Sequence, residues 1–144
     1  MGLDFSHTDA YWGYMGFMRF RTKLAAEAGI ALNCMECFAW NHGEDKPYKS
    51  VKVYGHEEGS YSQGAIVGIQ PIIKWANVHD DIVPLLNHSD CDGELSPEEC
   101  LKIAPRLREL VSAWDDDDRD KENALWLAEG MELAASRNEP LEFR

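Results

Sequence analysis

What this chain of 144 residues lacks narrows its role first. No apolar run approaches the roughly 18–20 residues that a membrane-spanning helix requires. The opening "MGLDFSHTDAYW" carries neither the basic stretch nor the apolar stretch of a secretory leader. It matches the bare N-myristoylation pattern through Gly2 and Ser6, yet so short a pattern matches by chance, and Asp4 adds no attraction to an anionic membrane. We therefore expect a cytoplasmic protein with no membrane contact, whose four cysteines stay reduced. Catalytic fingerprints are also missing: there is no P-loop, G-x-S-x-G, H-E-x-x-H or dinucleotide-binding glycine pattern. No residues nominate a nucleophile with its base, so a non-enzymatic role is expected.

Positive charge is scarce, with 14 Lys and Arg against 26 Asp and Glu, a net charge of −12. The deficit is concentrated: residues 75–144 hold 18 acidic and 7 basic side chains, whereas residues 1–74 are nearly balanced. Such a surface repels nucleic-acid phosphates and suits cations or a basic protein partner. What is present is a core: 44% of residues are hydrophobic, and five each of Trp, Tyr and Phe argue against disorder.

The pattern predicts one domain over 1–144 of mainly α (α+β) class, with about four helices, a small two-stranded β element in the middle, and 138–144 as a loose C-terminal tail. Residues 6–30 read as a helix capped near Ser6–Asp9 and stopped by Gly29–Ile30. Residues 50–55 and 65–69 read as strands, with turn chemistry over 41–49. A helix is expected over 72–87, broken near Pro84, and another over 97–114, divided at Pro105, with a stripe of Leu101, Ala104, Leu107, Val111 and Trp114. After a charged connection over 115–123, the last helix spans 124–137, with Ala124, Leu127, Ala128, Met131 and Ala135 on one face.

One segment, "NHSDCDGELSPEEC" (87–100), carries chemistry in its spacing. With Gly93 at the sixth position of a twelve-residue calcium loop, Asp90 and Asp92 take the third and fifth, Glu94 offers its carbonyl at the seventh, Ser96 takes the ninth and Glu99 the twelfth. Calcium requires six to eight hard oxygens, which alternating carboxylates, a sharp glycine turn and a late bidentate Glu supply. The segment resembles a degenerate single EF-hand loop. It departs from that pattern at the first position, where His88 stands in place of Asp, and it has no second loop to pair with. Weak Ca2+ binding, another divalent ion such as Zn2+ or Mn2+, and a rigid acid-rich turn needing no metal all remain open.

Other clusters are weaker. Cys34 and Cys37 have zinc-knuckle spacing, but Cys91 and Cys100 make a poor second pair, and buried inert thiols account for all four. His7 and Asp9 repeat the H-x-D spacing of His88 and Asp90; a joint zinc or manganese site competes with simple capping. Tyr11, Trp12, Arg19 and Arg21, with His7 and Asp9, offer stacking and charge for a small nucleotide-type ligand, or simply an aromatic core face. The run Asp115–Asp118 with Asp120 and Glu122 suggests an inhibitor that imitates DNA phosphates, or a solvated face.

"MGLDFSHTDAYW…GF…RFR" together with "IVPLLNHSDCDGELSPEECLKIAPRLRELV" resembles a family of small uncharacterised proteins from bacteria and their bacteriophages. That resemblance covers about half the chain. It implies an intracellular accessory role, in the host cytoplasm where the gene is viral, and no particular activity.

Overall fold

A computed structural model describes residues 2–38 and 73–144. Strands β1 (Gly2–Asp4) and β2 (Tyr11–Gly13) form an antiparallel hairpin that leads into α1 (Tyr14–Glu27). A short α2 (Val83–Leu86), β3 (Gly93–Leu95), α3 (Pro97–Val111), α4 (Arg119–Ser136) and β4 (Leu141–Phe143) follow. The class is α+β, with four α-helices and two small antiparallel sheets among the described residues. Among the described residues, β1, β2 and β4 lie near the two ends of the chain and β3 lies between α2 and α3. The strands expected over 50–55 and 65–69, and the turn over 41–49, fall outside the described residues.

Helix α1 starts later than its capping residues suggest. The hairpin pairs Leu3 with Trp12 across its buried face and leaves Asp4 and Tyr11 exposed, so residues 2–5 and 10–13 alternate as strands do. The helix end was legible: Gly29 takes φ +79°, its N–H bonds to Ala26 at 3.0 Å, and the Ile30 N–H bonds to Ala25 at 2.8 Å, closing a Schellman motif. The side that faces the core is Phe17, Phe20, Arg21, Leu24 and Ala25, whereas Met15 is 77% exposed.

Residues 72–87 do not make one helix. From Ile73 on, a 3-10 turn at Trp75–Asn77 gives way to extended backbone at Val78, and α2 begins only after the Asp80 carboxylate accepts from the Ile82 N–H at 3.0 Å. Helix α3 starts with a complete capping box: the Ser96 Oγ accepts from Glu99 N–H at 3.1 Å, and Glu99 Oε1 accepts from Ser96 N–H at 2.9 Å. Pro105 lies inside α3 without dividing it. It removes the N–H that Leu101 would accept from, but both residues are exposed, so water can serve that carbonyl. The buried stripe is Cys100, Ile103, Ala104, Leu107, Leu110 and Val111, with Trp114 beyond the helix; Leu101 is 63% exposed and belongs to the opposite side.

Helix α4 begins at Arg119, inside the run expected to be a connection, because Asp118 caps it by accepting from the Asp120 N–H at 2.8 Å. Ala124, Leu127, Ala128, Met131 and Ala134 face α3; Ala135 is only half-buried. The helix ends in a second Schellman motif with Asn138 at φ +54°.

Residues 138–144 are not a loose tail. β4 pairs with β3, Leu95 opposite Leu141, while its other edge bonds the chain start: Ser6 N–H to Glu142 O at 2.9 Å, and Asp4 with Arg144 in both directions. Leu141 and Phe143 are buried. The Phe143 ring meets Phe5 edge-on at 4.9 Å, and Trp12 stacks on Phe20 at 4.4 Å. The buried apolar side chains of all these elements form one continuous cluster. Among the described residues, no helix is long and apolar enough to cross a membrane.

Candidate functional site

The acidic loop between α2 and α3 turns at Gly93, whose φ of +106° suits glycine. Its interior is filled by the His88 ring. Nε2 lies 3.0 Å from the Glu94 carbonyl and Nδ1 3.0 Å from the Ser89 carbonyl; the ring stacks on Phe143 at 3.8 Å. A Cβ on Gly93 would come within 2.8 Å of the ring. The other expected ligands are engaged nearby: Asp92 accepts from the Ser89 hydroxyl at 3.2 Å, Asp90 from the Cys91 thiol at 3.3 Å, and Ser96 and Glu99 are spent on the capping box. From below, Arg21 enters the core from α1 and donates through Nη1 to the carbonyls of Leu86 (3.2 Å) and His88, closing the end of α2. Its guanidinium lies 4.8 Å from the Phe17 ring centre. Burial pushes its pKa down, and the nearby Asp90 charge pushes it back up.

The carbonyl that a calcium loop turns toward its ion here faces an imidazole. Among the described residues, no group of three or more His, Cys, Asp and Glu side chains is placed to hold a metal ion. That statement covers the joint His7, Asp9, His88 and Asp90 arrangement as well.

The residues expected to hold a small ligand separate. Trp12 and Arg21 are interior, Trp12 donating to Asp120 at 2.9 Å, whereas Arg19 is exposed. His7 and Asp9 line a cavity of about 280 Å³, completed by Thr8 and by Trp126, Glu129 and Leu133 of α4. The loop is held against α4 closely. Thr8 donates to the Trp126 carbonyl at 2.8 Å, and a Cβ on Gly130 would lie 2.7 Å from Thr8. His7 adopts φ +67°, with Nδ1 2.7 Å from the Ser6 Oγ and Nε2 2.9 Å from the Glu139 carboxylate. This Ser–His–Glu chain has the connectivity of a hydrolytic triad, but Ser6 is only 5% exposed and its oxygen already accepts from the Glu142 N–H at 2.8 Å. It clasps the two ends of the fold and offers no accessible nucleophile.

Trp126 (41% exposed) and Leu133 (39%) were not singled out from the sequence, although their spacing of seven on α4, off the core face, marks a second apolar side. Asp9 and Glu129, both exposed, flank them.

A larger cleft of about 810 Å³ lies between residues 78–84 and α3, bordered by His79, Asp81, Glu99 and Lys102. Its strongest feature is self-contained: Arg106 grips Asp80 with Nε at 3.0 Å and Nη2 at 2.8 Å, and donates to Glu109 as well. Burial tends to raise the Asp80 pKa, but the bonds from Arg106 and Ile82 outweigh it and hold the carboxyl below its ordinary range.

Much of the acidic run is likewise committed. Asp118 caps α4 and pairs with Lys23, Asp116 pairs with Lys121 at 2.7 Å, and Asp120 holds Trp12. Of the cysteines, Cys34 and Cys100 are buried, and burial pushes each thiol up to about 11, while Cys37 and Cys91 are exposed rather than buried as expected.

No family model, no curated protein and no solved structure matches this chain.

Proposed function

We propose that this protein is an acidic interaction module that acts by binding, and that it engages a basic segment of a protein partner at the cavity between residues 7–9 and α4. The observation that carries this reading is the pairing of solvent-exposed Trp126 and Leu133 with the flanking carboxylates Asp9 and Glu129 on a chain of net charge −12. Exposed aromatic and aliphatic anchors inside a polar rim are the usual make-up of a binding hot spot. A Lys or Arg side chain fits the chemistry twice over. Its aliphatic stem covers the Trp126 face, where the cation is attracted by the ring, and its charge meets Asp9 or Glu129. The −12 charge speeds encounter with a basic surface and opposes nucleic acid.

The test is calorimetric titration of the full chain with a synthetic lysine- and leucine-bearing peptide at low and high salt. Trp126→Ala should weaken binding about tenfold or more, whereas Asp115→Asn with Asp117→Asn, away from the cavity, should change it far less. Equal loss from both variants would show diffuse charge attraction and overturn the proposal.

A further inference from the structure

The EF-hand-like loop raises a separate question: what holds a turn of this shape together when its ligand oxygens do not converge on an ion. We infer that the His88 imidazole takes the place of the cation, so that the loop is internally filled and keeps its shape without metal. Two independent contacts fix the ring. Nε2 donates to the Glu94 carbonyl, and the ring face lies against Phe143 of β4. Glu94 supplies the very oxygen that the resembled calcium loop turns toward its ion, and here that oxygen accepts from a ring nitrogen at 3.0 Å.

The surroundings agree with this assignment. Gly93 has no Cβ, and a side chain there would collide with the ring, so the glycine makes room for an imidazole as well as for the turn. Glu99, which should close a calcium site with two oxygens, has one oxygen on the Ser96 N–H. The Arg21 guanidinium holds the His88 carbonyl from the core side, fixing the backbone from which the ring projects. Loop, strand β4 and helix α1 thus meet at one residue, His88, in a joint that needs no ion.

The test is thermal unfolding of the full chain in about 10 mM CaCl2 against the same concentration of MgCl2, for the unaltered protein, His88→Asp, and His88→Asp combined with Asp92→Ala. The unaltered protein should show the same Tm in both salts. His88→Asp removes the ring and places a carboxylate at the loop's first position. It should melt lower without calcium and regain about 3–6 °C with it, the shift expected for a millimolar site; the double variant should regain nothing. Calcium-dependent stabilisation of the unaltered protein, abolished by Asp92→Ala, overturns the inference, as does a folded His88→Asp variant indifferent to calcium. Should His88→Asp not fold, the ring N–H of His88 in the unaltered protein decides. Slow exchange with solvent by NMR supports a fixed ring, and an N–H exchanging too fast to observe refutes it.

Discussion

Truncating Phe143 to alanine tests whether residues 141–143 are a working part of the core. The ring is 3% exposed and packs between Phe5 at 4.9 Å and His88 at 3.8 Å, with Phe17 at 6.4 Å. Removing a buried Phe side chain costs about 3–5 kcal/mol when the neighbours cannot close the gap. Collapse is resisted here, because Asp4 and Ser6 are bonded to residues 142–144 on either side of Phe5, and the His88 ring is held by the Glu94 carbonyl. Loss of the two ring contacts is included in that figure, since each is worth about 0.5–1.5 kcal/mol. Against a total stability on the order of 5–15 kcal/mol, the substitution removes a large share, and Tm should fall by roughly 10 °C or more. Urea unfolding followed by circular dichroism measures this directly. The exposed neighbour Glu142→Ala is the control and should change stability by less than about 1 kcal/mol. A Phe143→Ala loss as small as the control's would mean that the strand is not docked, and the reasoning about the loop and the two chain ends would fall with it.

Two further outcomes follow from the same packing. Gly130→Ala sets a gain in helix propensity of about 1 kcal/mol against overpacking on Thr8 that costs about 1–3 kcal/mol; Tm should fall, Thr8→Gly should restore it, and a rise in Tm from Gly130→Ala alone would refute the close approach. Asp80, held below its ordinary pKa by Arg106, contributes stability that is fully present above the unfolded carboxylate value of about 3.9 and is lost as pH falls through the lower folded value. Acid unfolding of Asp80→Asn should therefore show a shallower loss of stability below about pH 4 than the unaltered protein, measured by urea midpoints across pH, and parallel curves would contradict the pairing.

Features decided within a few residues were legible in the sequence. Gly29 stops α1 and Ser96 opens α3 because cap chemistry needs only its own turn. Features decided across the chain were not. Ser6–Asp9 look like a helix start, but Leu3 and Trp12 pair with each other as strands, and Asp4 and Ser6 are bonded to residues 142–144. Residues 72–87 look like one helix, but Asp80 is claimed by Arg106 of α3 and by the Ile82 N–H. At the site, the spacing of Asp90, Asp92 and Glu99 was readable, whereas the direction of the His88 ring depends on Phe143 and could not be. His7 and Asp9, singled out from the sequence, line a cavity, while their neighbours Trp126, Glu129 and Leu133 belong to a side of α4 that appears only once the core side is known.

Strand β4 comes later in the chain than everything it touches, since its two edges meet residues 4–6 and 93–95. During synthesis, the α3–α4 hairpin can assemble from local contacts as soon as it emerges. The faces of Leu3, Phe5 and Leu95, however, must wait for residues 141–143 before they are covered. An unfinished chain therefore carries open strand edges beside apolar side chains, the arrangement most prone to pairing with another copy. A net charge of −12 opposes such association through like-charge repulsion.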